Sequence, residues 1–121
     1  MLMVSRITPR QVVAKMAKGE RVTFVDARAE SARKAAGVRI TGAVPVRLPS
    51  IVRDAAHLPP QCAVVVYGDG EGDLDVPRVA DGLRALGFRD VRVLAGGFGA
   101  WLELRYPVQV ADGADGAVAA A

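Results

Sequence analysis

Apolar residues in this chain fall into short unbroken runs, and helix-spaced apolar stripes lie between them. The spacing predicts a helix from Thr8: Thr8 caps it, Pro9 suits the first helical position and Gln11 completes a capping box. Val12, Val13 and Met16 form its stripe, and Gly19 ends it. Val22 to Asp26 reads as a strand with Asp26 at its carboxyl end, and Ala29 to Ala36 as a short helix closed by Gly37. Ala43 to Val46 is a short strand, where Pro45 marks an edge or a strand end. Ser50 to Ala56 forms a helical turn before Pro59-Pro60. Ala63 to Tyr67 is the most apolar strand and the predicted centre of the sheet. Val76 to Leu86 is a helix with Asp75 as its cap and Val79, Ala80, Leu83 and Leu86 on one face. Val91 to Leu94 is a strand, Gly96-Gly97 a turn, Phe98 to Leu104 a helix carrying Trp101, and Tyr106-Pro107-Val108 an extended finish.

Strands that alternate with helices imply a parallel sheet covered on both faces, a three-layer α/β domain. Ligands of such folds bind outside the carboxyl ends of the strands. Asp26 and Gly68 both stand at such ends. The central strand runs into Gly68-Asp69-Gly70-Glu71-Gly72-Asp73-Leu74-Asp75 and then a helix, an arrangement that presents free backbone N–H groups to an anion. Yet the loop holds no Cys, Ser, Thr or His to act as a nucleophile or base, and it carries acids at 69, 71, 73 and 75.

Composition narrows the function classes. At 121 residues, one domain is expected, spanning residues 1–108, with 109–121 as a mobile tail that has little to bury beyond Val118. The net charge of +3 comes from scattered basic residues, without the clustered patch and stacking aromatics that nucleic-acid binding needs. No apolar run approaches the ~20 residues of a membrane span, and Met1 to Arg6 is too short for a signal h-region. A single cysteine, Cys62, allows no internal disulfide and suits a reducing, cytoplasmic setting. No cofactor or metal is expected. A protein partner remains open, as does the oligomeric state.

Several segments, in order, resemble a rhodanese-like domain. They are Val25-Asp26-Ala27-Arg28, Arg39-Ile40-Thr41-Gly42-Ala43-Val44-Pro45-Val46, Val64-Val65-Val66-Tyr67, and Leu94-Ala95-Gly96-Gly97 followed by Trp101 and Tyr106-Pro107-Val108. The resemblance runs from about Ile7 to Val108 and implies a five-stranded parallel sheet flanked by helices. It also implies sulfane-sulfur transfer through a cysteine persulfide, on a cysteine that directly follows the strand's Tyr. The matching residue here is Gly68. The helix segment Val76-Pro77-Arg78-Val79-Ala80 keeps the family's Arg as Arg78, but the cysteine is gone.

The remaining chemistry is weighed residue by residue. Cys62 precedes Gly68 by a full strand, so at ~3.3 Å per residue it lies ~20 Å away and reads as a half-buried structural thiol. The acids at 69, 71, 73 and 75 raise the pKa of any thiol in the loop and repel thiosulfate or phosphate. A phosphatase loop needs an Arg six positions after its Cys, and residue 74 is Leu. The glycine spacing is not the dinucleotide fingerprint. A calcium loop fails at Leu74 and Ala80, which leaves a solvated acidic loop. His57 reads as an exposed loop residue, and Trp101 as core with its N–H on a backbone carbonyl. Asp26 and Arg28 either face the loop cleft or form an ion pair or helix cap.

Gly68, Asp69, Gly70, Glu71, Gly72, Asp73, Arg78, Asp26 and Arg28 are therefore the candidate pocket, with no catalytic residue assigned. The expected function is a rhodanese-like binding or regulatory module inactive in sulfur transfer. The alternative is a sulfur-transfer protein whose thiol comes from a partner or substrate.

Overall fold

The computed structural model describes residues 5–70 and 72–110. Five parallel strands form the central sheet: β1 (Arg6–Ile7), β2 (Val22–Asp26), β4 (Val44–Pro45), β5 (Ala63–Tyr67) and β6 (Val91–Leu94), in the order β1-β6-β5-β2-β4. The apolar run of β5 thus lies at the centre, with Asp26 of β2 level with Tyr67 and Val66 level with Val93 of β6. A separate antiparallel ribbon pairs β3 (Val38–Ile40) with β7 (Val108–Val110). The helices are α1 (Pro9–Ala17), α2 (Glu30–Ala36), α3 (Ile51–Ala55), which continues a 3₁₀ turn at Leu48–Ser50, α4 (Asp75–Ala85) and α5 (Gly97–Glu103).

Local signals explain most of these elements. Thr8 Oγ1 accepts the Gln11 N–H at 3.1 Å and Gln11 Oε1 accepts the Thr8 N–H at 2.9 Å, so the capping box forms as read. Gly37 closes α2 with φ +73°, a left-handed value that suits glycine.

The sheet divides the core in two. On one face Val25, Val64 and Val66 pack against Val76, Val79, Ala80 and Leu83 of α4; on the other Phe24, Val65 and Tyr67 pack against Val12, Phe98 and Trp101. Trp101 stands edge-on to Phe24 and to Tyr106 at 5.1 Å each, and its Nε1–H donates to Pro107 O at 2.9 Å.

Three local expectations change. Leu86 is 44% exposed, and Val76 takes its place on the buried face of α4. Leu86 is the C-cap, at the end of α4, where less of the sheet lies over it. Asp75 does not cap α4 but begins it; Leu74 stands at the N-cap with no side-chain bond, and in the turn before it Asp73 Oδ1 accepts the Asp75 N–H at 3.1 Å. Residues 6–7 and 38–40 form strands of two and three residues that the apolar pattern does not announce. The last strand carries the described chain to Val110, and 111–121 lie outside the described residues.

Candidate functional site at the carboxyl end of the central strand

Register brings Asp26 and Tyr67 side by side, with Arg28 and Gly68 just beyond them. Asp26 and Arg28 are both fully buried and form a forked ion pair. Arg28 Nε donates to Asp26 Oδ1 at 3.0 Å and Nη2 donates to Oδ2 at 2.7 Å. Arg28 Nη2 also donates to Val38 O at 2.9 Å. The Tyr67 hydroxyl donates to Asp26 Oδ2 at 3.0 Å and accepts the Ile40 N–H at 3.2 Å. One chain of hydrogen bonds therefore ties β2, β5 and the β3–β7 ribbon together.

Aromatic faces enclose this pair. The Arg28 guanidinium carbon stands 4.3 Å from the Phe98 ring centroid and 5.5 Å from that of Tyr67. Burial alone lowers the Arg28 pKa, but the Asp26 carboxylate outweighs it and the net shift is upward. Burial, with Asp26 beside it, pushes the Tyr67 hydroxyl far above its usual value, so it stays a neutral donor. Asp26 and Arg28 thus form the buried ion pair, and neither lines the loop cleft.

The loop after β5 is pinned by α5. Gly68 O accepts the Phe98 N–H at 2.8 Å and Asp69 O accepts the Gly99 N–H at 3.2 Å. The first N–H groups of α5 are therefore spent on loop carbonyls. A Cβ on Gly97, which has φ +61°, would stand 2.8 Å from Gly68 O and from Gly70 N and Cα, so only glycine allows this approach.

Gly68 is buried. A Cβ built on it would meet Asp73 Oδ2 and Val76 Cγ2 at 2.5 Å each. The space that a side chain at 68 needs is filled. Asp69 is exposed, Asp73 half-buried, Gly70 half-buried and Gly72 exposed with φ +87°. Arg78 is exposed on α4. Glu71 lies outside the described residues. A shallow cleft of about 160 Å³ runs beside Gly68, Gly70 and Asp73, with Arg6, Leu74 and Pro77 on its walls. Among the described residues no cluster of three or more His, Cys, Asp or Glu side chains could hold a metal ion.

Cys62 is half-buried at the opposite end of β5, in a groove of about 650 Å³ shared with Gln61, Arg89 and Asp90. Its Sγ lies 3.1 Å from Thr23 Oγ1 and 3.2 Å from Pro59 O. His57 is exposed. The residues that sequence reasoning missed are Phe98, which covers Arg28, and Gly97, which admits the loop. A Gly-Gly-Phe run at a helix start was their only signal.

A parallel five-stranded α/β domain with a glycine-rich loop at the end of its central strand defines a class, and comparison makes the class particular. The rhodanese-like domain family matches residues 8–104, and the chain belongs to it. The solution structure of the rhodanese-like domain of the Alr3790 protein from Anabaena sp. is 26% identical, with 90% of this chain and 81% of that chain covered and a TM-score of 0.71. The BH2092 protein of Bacillus halodurans is 22% identical, with 88% and 77% covered and a TM-score of 0.74. The thiosulfate sulfurtransferase of Pseudomonas aeruginosa is 23% identical over 90% of this chain but only 20% of that chain, with a TM-score of 0.71. No curated protein matches the sequence. Among the described residues no helix is long and apolar enough to cross a membrane.

Proposed function

We propose that this rhodanese-like domain is a cytoplasmic binding or regulatory module in which cysteine-based sulfur transfer has been lost. One observation carries the reading. The residue after Tyr67, where the family resemblance calls for the persulfide cysteine, is Gly68, and the space for its side chain is filled by Asp73 and Val76. The only thiol, Cys62, lies at the other end of the sheet, ~20 Å along the strand at ~3.3 Å per residue. A persulfide mechanism needs a thiolate that positive charge or backbone N–H groups stabilise. The Gly68 loop supplies neither a thiol nor a net positive field.

The residues proposed as the pocket of the module are Gly68, Asp69, Gly70, Glu71, Gly72, Asp73 and Arg78, with Asp26 and Arg28 as the buried support beneath. A thiosulfate:cyanide sulfurtransferase assay on the wild-type protein and on Cys62→Ser tests the reading. The expected result is that both match the buffer control. Wild-type turnover well above that control, abolished in Cys62→Ser, would refute it.

A further inference from the structure

We propose that Asp73 is an internal plug: its carboxylate occupies the place of a side chain at residue 68, and the two positions form a coupled pair. This inference rests on the reading that the loop has lost its thiol chemistry, and it names what keeps the position shut.

The contact is closed from both sides. A Cβ on Gly68 would stand 2.5 Å from Asp73 Oδ2 and 3.0 Å from Asp73 Cγ, and 2.5 Å from Val76 Cγ2. Asp73 is held in this place by one side-chain hydrogen bond, its Oδ1 accepting the Asp75 N–H at 3.1 Å just before α4. Val76 is 4% exposed and packs in the core. The backbone at 68 cannot retreat either, because Gly68 O is held by the Phe98 N–H and Gly97 abuts the loop.

Asp73 is therefore distinct from the neighbouring acids. Asp69 and Asp75 are exposed, and neither is among the atoms nearest a Cβ at 68. For residue 68 this one placement matters more than the total acidity of the loop. An anionic oxygen in contact with residue 68 opposes ionisation of a thiol placed there, whereas an exposed carboxylate is screened by water.

The test uses the full chain with Cys62→Ser, so that a thiol introduced by Gly68→Cys is the only one. That protein is compared alone, with Asp73→Ala added, and with Asp69→Ala added. Tm and the rate of reaction with a disulfide reagent at neutral pH are measured for each. The expected result for Gly68→Cys alone is a lowered Tm and slow reaction. Adding Asp73→Ala should recover part of the lost Tm and speed the reaction by about tenfold, the equivalent of one pKa unit. Adding Asp69→Ala should change the rate by less than about threefold, as for a screened charge. Equal effects of the two Ala substitutions, or Tm changes of positions 68 and 73 that simply add, would overturn the proposal. If Gly68→Cys alone does not fold, Gly68→Ala with and without Asp73→Ala makes the same comparison by Tm. Failure of both thiol proteins to fold while Asp73→Ala alone folds also counts against it. None of these readouts depends on sulfur transfer by the wild-type chain, so this inference and the functional reading fail separately.

Discussion

Replacing Arg28 by Met keeps a long side chain under Phe98 but removes the charge. Both members of the Asp26–Arg28 pair are fully buried. Breaking such a pair by removing one partner costs ~3–5 kcal/mol, because the other charge is left buried without compensation. Asp26 would keep two donors, the Tyr67 hydroxyl and the Arg28 backbone N–H at 3.0 Å, which places the expected cost near ~3 kcal/mol. With a urea slope of ~1–3 kcal/mol per M, the unfolding midpoint should fall by about 1–3 M. Asp26→Asn should cost a similar amount, since it strands the guanidinium. The double substitution should be milder than the sum of the singles by at least ~2 kcal/mol, because it buries no lone charge. Trp101, the only tryptophan and 2% exposed, reports unfolding by its fluorescence. A midpoint for Arg28→Met within about 0.3 M of wild type would refute the reasoning, as would a double mutant equal to the sum.

Tyr67→Phe removes the hydroxyl that accepts the Ile40 N–H and donates to Asp26, and the orphaned N–H should cost ~1–3 kcal/mol in the same urea titration; a loss under ~0.5 kcal/mol would show that water replaces it. Burial raises the Asp54 pKa, but hydrogen bonds from the Arg47 N–H and the Ser50 hydroxyl outweigh it and hold the carboxyl below its usual 3.8. A depressed carboxylate contributes stability above its unfolded pKa and loses it as pH falls through the folded one. The Tm gap between wild type and Asp54→Asn should therefore be open at neutral pH and close as pH falls below about 4; a gap unchanged down to pH 2 would refute it.

The parallel sheet was readable because its inner strands are nearly pure apolar runs, such as Ala63 to Tyr67, bounded by glycine or acid. Arg6–Ile7 and Val38–Ile40 were not, since two or three residues carry no period and their pairing depends on partners far along the chain. The expected Asp75 cap of α4 fails for a related reason. In sequence the acids at 69, 71, 73 and 75 are equivalent, and only the fold turns Asp73 onto both Gly68 and the Asp75 N–H. Asp26 and Arg28 were legible as candidates at a strand end. Their role was not, because Phe98 and Val38, which bury and hold Arg28, lie in distant segments.

The pairing of β1 with β6 has a consequence for how the protein is made. Arg6 and Ile7 pair in the sheet with Val93 and Leu94, a whole domain further along the chain. The β3 strand likewise waits for Val108 to Val110. Non-local parallel pairing is slow, because loop entropy is surrendered before contacts reward it. A nascent chain that has emerged only as far as α4 has the β5 edge still bare, an aggregation hazard during translation. Two of the ladders, β1–β6 and β3–β7, can close only after nearly all of the domain exists.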